Sequence, residues 1–569
     1  MSEDVTDIDE AASSRTVGVC EPDPATSGEF TASRRSPGRR HLLIAPLAAA
    51  LSAACTREQV ERFVELARQQ QQPKPPAPPA PAPPMALSAE VAVDKLTFGP
   101  RPGLVDQVRA MGVAAWVDQQ LSPSSLPDAE SRLSGYVSLH NTNKQNFDLC
   151  NTDGGSDRIM AELDMATILR AVYSERQLYE VMCDFWSNHF NTWRGQTWMS
   201  FLKNRDHRDV VRAHALGKFS DMLIASAHSP AMLDYLDNLP NDASSPGGVN
   251  QNYARELLEL HTLGIIDGQH VYTEDDVQNL ALLMSGWSIQ WSAGPNQYSF
   301  QFHPWAHTRS PVSLLGGTFT RPGRPNGQGY QDGVDFLGVL ARHPSTARYI
   351  CWKLVRRFVS DVPPMGLVDS AAAVFLANDT AIAPTLRHII ASPEFAASGR
   401  MKVRRPFEHL VACLRALNAT VPNRAEGRAA QALRWALGTM GQPLFERETP
   451  DGYPDLESHW VSSAGLIERW SVAGQIARNG FGDRSDPADR VEVNLAALLP
   501  SPLPATVADL IGWMSVRLCN FVLPPADLAG LCDAISFAPS AAASTLVANS
   551  SRLALTVGLL LSHPRFQRR

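Results

Sequence analysis

Between residues 250 and 287 the chain reads NQNYARELLELHTLGIIDGQHVYTEDDVQNLALLMSGW, which predicts a helix, a loop and a second helix. Advancing about 100° per residue from Asn252 puts Asn252, Arg255, Glu256, Glu259 and Thr262 on one stripe. Tyr253, Ala254, Leu257, Leu258 and Leu260 cover the other side, and His261 falls among these apolar residues. Gly264 is placed to stop the helix, because glycine tolerates the left-handed cap. Thr273 can cap the next helix with Asp276 at the reciprocal position, and Glu274, Asp275 and Asp276 suit the positive end of its dipole. Two readings follow: an amphipathic surface hairpin with a solvated polar stripe, or the same stripe lining a cleft.

The helical period recurs from Leu87 onward. Residues 105–121 are amphipathic, and 160–193 read as one or two long helices. On the second part Met182, Phe185, Trp186, Phe190 and Trp193 form an apolar face with His189 in its middle. A helix over 205–227 would carry His207 and His214 on one face. Helices resume at 334–359, with a basic cluster at Lys353, Arg356 and Arg357, and again at 456–477. Only 288–333 changes character: it holds Gly, Pro and the alternating YSFQF, which predicts one small β-hairpin around residues 296–320. The fold class is therefore all-α, a multi-helical bundle-like domain with long loops.

Four regions are expected. Residues 1–54 read as a disordered leader with an export signal, since Arg39 and Arg40 precede a short apolar run that resembles a twin-arginine signal. Ser52 and Ala54 give a small-x-small cleavage site before Cys55. Soluble export ranks first and a lipid anchor at Cys55 second. Residues 55–86 form a helical stem and a Pro/Ala-rich linker, an extended spacer. A helical core spans 87–480, and residues 481–569 form a helical C-terminal cap packed on it.

Composition sharpens this only at the edges. With 569 residues, 44% apolar and 19% charged, the chain can bury a large core. A net charge of −7 and the absence of a basic run interleaved with aromatics argue against nucleic-acid binding. No apolar stretch is long enough to span a bilayer. The eight cysteines include no CxxC pair. Export permits disulfides, and Cys519 with Cys532 is the first pair to test.

The candidate chemistry is acid–base. Glu256 is the leading catalytic candidate: burial would raise its pKa and Arg255 would lower it, the tuning an acid–base residue needs. Asn252 and Arg255 share its stripe, and His261 would pack beneath and orient it. His189 and His307 complete the set. A histidine in an apolar face is more often a hydrogen-bonded core residue than a ligand. His303 and His307 are four apart, but Pro304 opposes a helix there, so no metal site is expected. No cofactor-binding motif is present.

Stretches such as KLTFGPRPG (95–103), DFWSNHF (184–190), NYARELLELHTLG (252–264), HPSTARYICWKLVRRFVSD (343–361), KVRRPFEHLVACLRAL (402–417) and MGQPLFERETPDGYPD (440–455) are ordered and specific. Over roughly residues 90–480 the chain resembles the bacterial exported family known as domain of unknown function 1800. The resemblance implies a largely helical fold, export and no established reaction. It also implies a partner, a co-exported protein of a sulfatase-like family. The family pattern is typically FWHNHF and NENYARELLEL, whereas this chain has Ser187 and Gln251 at the changed positions. His307 is followed by Thr308 where the family often has an aspartate. The function expected is a hydrolase or transferase on an envelope or extracellular polymer. The alternative is a non-catalytic assembly or maturation partner of that co-exported protein.

Overall fold

The computed structural model describes residues 86–569 apart from 267, 269, 326 and 327. The expected leader and most of the stem and linker lie outside the described residues. Within them the fold is largely helical, as the periodicity predicts. The helix Pro406–Ala416 lies at the centre, with every residue buried. It packs against the nearly fully buried helix Gly155–Tyr173 and against Ser463–Ala477. A helix apolar on most sides belongs inside a core, and this one also carries Glu408, His409 and Arg415 there. The C-terminal helix Ser550–Ser562 lies along Ser463–Ala477, and the two backbones meet at Gly474 and Gly558, where a side chain at Gly558 would sit 3.1 Å from the Gly474 Cα.

Two hairpins replace the single one expected. Trp287–Ile289 pairs antiparallel with Phe300–Phe302, Trp287 facing Phe302. Val312–Leu314 pairs with Phe319–Arg321. The alternation of YSFQF marks the second strand correctly. The first escapes because Trp287, Ser288 and Ile289 are all buried, leaving no two-residue period to read.

The segment 160–193 is two helices, Gly155–Tyr173 and Gln177–His189. The expected helix 205–227 is broken. Met199–Asp206 runs into a π-helical turn, His207–Arg212, and a new helix begins at Phe219. A π turn adds a residue and shifts the phase. His207 is accordingly buried while His214 is partly exposed.

The same correction applies at the central stripe. Asn252–Glu256 is α-helical and Leu257–His261 is a π turn. Thr262 therefore leaves the polar stripe: it is fully buried, and its hydroxyl donates to the Leu257 carbonyl at 2.6 Å. Gly264 has φ +72° and closes the turn, donating its N–H to the Leu258 carbonyl. Thr273 and Asp276 form the expected reciprocal cap on Glu274–Leu283. Cys519 and Cys532 are both buried free thiols, so the disulfide expectation fails in this structure. The two belong to different surroundings: Cys519 ends its helix near Arg400, Arg404 and Asp94, and Cys532 lies beside Asp533.

Gly264 also holds the future site together, because a Cβ there would lie 2.3 Å from the Tyr349 ring. The left-handed backbone and this contact act in the same direction. Gly264→Ala should lower the unfolding free energy by about 2 kcal/mol or more, read by urea denaturation. An unchanged midpoint and slope would show that Tyr349 is not packed there.

Candidate functional site

The helix Gln177–His189 turns its last residues toward three other segments. Asn188 grips the Gly/Pro loop after residue 438 by a two-way amide contact, Nδ2 to the Tyr453 carbonyl at 2.9 Å and Oδ1 from the Tyr453 N–H at 2.7 Å. Asn191 adds bonds to the Arg447 and Thr449 carbonyls, both 2.9 Å. Gly452 permits this approach: its φ is +74°, and a Cβ would lie 2.2 Å from the Asn188 carbonyl oxygen. The loop thus carries Asp451, Tyr453 and Asp455 over a cleft of about 270 Å³, opposite Tyr349, Trp352, Lys353 and Arg356 of the helix Pro344–Phe358.

His189 is buried at the base. Its Nε2 lies 3.1 Å from the backbone carbonyl of His261, one of the carbonyls a helix end leaves without an intrahelical partner. A carbonyl only accepts, so Nε2 carries the proton and Nδ1 presents a lone pair. The Lys353 amine donates to that Nδ1 at 2.9 Å. Burial, then the Lys353 charge, holds the His189 pKa well below the usual range, so the ring is neutral. Burial likewise lowers the Lys353 amine to about 8. Among the described residues no carboxylate pairs with Lys353, although Asp451 and Asp455 act on it electrostatically.

The neighbouring cations differ. Arg357 pairs with Glu408, and Arg405 with Asp184, in a buried network that Arg569 joins at 3.2 Å from Glu408. Burial alone would raise the Glu408 pKa, but Arg357 and Arg405 outweigh it and hold the group ionised. Arg356 makes no ion pair among the described residues, and its guanidinium lies 3.7 Å above the Trp352 ring. Tyr349 and Trp352 are near-parallel, 15° apart, with ring centres 6.2 Å apart.

Of the expected site residues, His189 and His261 come together, ring centres 6.0 Å apart. His261 is fully buried, and neither of its ring nitrogens has a hydrogen-bond partner. Burial pushes its pKa down to about 3. Glu256 is half-buried and makes no side-chain hydrogen bond or ion pair among the described residues. Burial, then Glu259, raises its pKa, Arg255 opposes them, and Asp451 adds to the rise. Asp451 is thus a shared neighbour of Glu256, Tyr349 and Lys353. Asn252 and Arg255 lie at the surface instead, bonded to Asp237 at 3.2 Å and to Glu274 at 2.8 and 2.7 Å. His307 stands apart. Its Nδ1 donates to the Ser285 carbonyl at 2.8 Å, and it packs on Phe302 under Gly329. Among the described residues no three His, Cys, Asp or Glu side chains are arranged to hold a metal ion.

A family model described as a protein of unknown function (DUF1800) matches residues 91–568. The chain belongs to the DUF1800 family. Among curated proteins and among solved structures, nothing matches. The matched span of this DUF1800 chain includes every wall of the cleft and continues beyond residue 480 through the C-terminal helix. Lys353, Tyr349, Asn188 and Asp451 were not singled out as site residues from the sequence. The available signal was the spacing of Tyr349 and Lys353, and of Trp352 and Arg356, one helical turn apart beside a Gly/Pro loop rich in acids.

The free amine of Lys353 should react at lower pH than an ordinary lysine. In competitive acetylation read by mass spectrometry, Lys353 should reach half its limiting reactivity near pH 8. Surface lysines should do so near their usual value of about 10.4. A Lys353 profile that coincides with the surface set would contradict the burial argument.

Proposed function

We propose that this DUF1800 chain is an exported hydrolase or transferase acting on an envelope or extracellular polymer at the Lys353–His189 cleft. One observation carries the reading: the Lys353 amine rests on a histidine lone pair with no carboxylate partner among the described residues. A lysine so placed is a general base or nucleophile near neutral pH, because its proton is held weakly. The paired rings of Tyr349 and Trp352 suit the flat face of a sugar, and Arg356 suits an anionic substituent. In the simplest cycle the neutral Lys353 amine takes the proton from an attacking hydroxyl as its oxygen bonds the substrate. Protonated Glu256 delivers its proton to the departing oxygen. Both groups end with the opposite proton count, and transfer through water resets them.

Export is supported by RRHLLI and the short apolar run before Cys55. The mature protein should begin near Cys55. Amino-terminal sequencing of material recovered outside the cytoplasm checks this, and retention of residues 20–50 there would refute it. The partner proposed is a co-exported protein of a sulfatase-like family, and its presence in the assay is a variable to test.

The catalytic reading is tested by incubating the full chain with envelope and extracellular polymer fractions, with and without that partner. Soluble fragments or transfer products are followed by mass spectrometry. Lys353→Met and Glu256→Gln should each lower product formation about 100-fold or more without lowering the melting temperature. His261→Ala should instead lower stability, since it opens a hole in a buried face. If both variants form product at the wild-type rate, the catalytic reading is lost and the non-catalytic partner role takes its place.

A further inference from the structure

A second cavity, of about 420 Å³, lies on another part of the molecule and shares no lining residue with the Lys353 cleft. Its volume falls within the range of about 300–1,000 Å³ common for small-molecule sites. Arg101, Gly103, Trp116, Gln119, Arg415 and Asn418 are among its walls. Arg415 projects from the central helix Pro406–Ala416 and is only 2% exposed. Its Nε and Nη1 donate to the Gly99 and Val172 carbonyls, both at 2.8 Å. Val172 lies in the last turn of the helix Gly155–Tyr173, whose negative dipole end offsets part of the charge. No carboxylate pairs with Arg415 among the described residues. A buried cation left this way is costly unless something supplies the counter-charge.

Arg101 faces the same space. It is partly exposed, and its guanidinium makes no hydrogen bond or ion pair among the described residues. The turn Arg101-Pro102-Gly103 fixes its origin, with Gly103 at φ +90° and the Leu104 N–H returning to the Arg101 carbonyl at 3.0 Å. Arg101 and Arg132 both lie against the Tyr173 ring, at 5.9 and 3.7 Å from its centre. Glu175 lines the mouth, but it is exposed and forms no ion pair with Arg101 or Arg415. The amide donors of the other buried polar walls are already engaged. Gln120 donates to the Glu175 carbonyl, and Gln177 to those of Ala171 and Ser174. What the cavity still offers a guest is guanidinium N–H groups and positive charge, with the amides of Gln107, Gln119 and Asn418 at its more exposed walls.

We propose that this cavity binds a small polar ligand through an oxyanion, a carboxylate or a phosphate, held between Arg101 and Arg415. A guanidinium fork matches either group with two parallel hydrogen bonds. The bound anion supplies the counter-charge that Arg415 lacks. The site is independent of the Lys353 cleft and of the reading given to it.

Calorimetric titration of the full chain at fixed ionic strength tests the proposal, with inorganic phosphate in one arm and malonate in the other. At least one anion should saturate a single site, and the tighter of the two distinguishes a phosphate-bearing from a carboxylate-bearing ligand. Arg101→Gln, at a partly exposed position, should weaken that binding about tenfold or more. Arg415→Gln should abolish it where the variant folds. Lys353→Met should bind as the wild type does. Failure of both anions to saturate, unchanged binding by Arg101→Gln, or loss of binding in Lys353→Met would each overturn the proposal.

Discussion

The interior of this protein depends on charge neutralisation around Glu408. One buried carboxylate on the central helix forms ion pairs with Arg357 and Arg569, and accepts a hydrogen bond from the Arg405 N–H at 2.8 Å. Asp184 takes the Arg405 side chain. Removing an ion from water costs several kcal/mol, and only close partners repay it. The network therefore fixes the positions of the helices 177–189, 344–358 and 406–416 relative to one another. Lys353 lies one turn before Arg357 and outside this arrangement. Its isolation is a consequence of the geometry: the acids nearest the network are already occupied, and the remaining neighbour on offer is a histidine ring.

The loop over the cleft is held by backbone recognition, and side-chain charge plays a smaller part there. Asn188 and Asn191 satisfy four of its peptide groups, and Gly452 lets the two backbones approach. Lys402 then anchors the loop's far end through Asp455, and Asp361 ties the same lysine to the following helix. A loop fixed at both ends can hold Asp451 at the cleft mouth although that residue is itself exposed. Polar groups set on a rigid frame are what acid–base chemistry requires.

Much of the helical architecture was legible because burial and a 3.6-residue period coincide. The apolar setting of His189 and His261, the Thr273 cap and the Gly264 stop were all readable from local pattern. What was not readable has local causes too. A π turn leaves no mark in the spacing of apolar residues, so Thr262 and His214 were assigned to the wrong faces. The strand Trp287–Ile289 is buried on both sides and shows no alternation. The contact of Lys353 with His189 spans 164 positions, and helical phase alone showed only a basic cluster. Long-range pairings of this kind need the tertiary fold.

The Lys353–His189 contact also bears on stability. A lysine whose folded pKa is near 8, against 10.5 for the free side chain, binds its proton less well in the folded state. Between those values the unfolded chain holds more protons, so stability from this group rises with pH through that window. Below pH 8 the full penalty applies. His261, at about 3 against 6.5, acts in the same sense at lower pH: its penalty grows as pH falls from 6.5 toward 3. The two groups thus disfavour the folded state on the acid side, and at neutral pH only the lysine does so. A core selected for stability alone would place a carboxylate against Lys353 or replace it with an apolar residue. Retaining an unpaired amine against a neutral imidazole sacrifices stability for a weakly held proton, which is the trade expected where a side chain is required for chemistry.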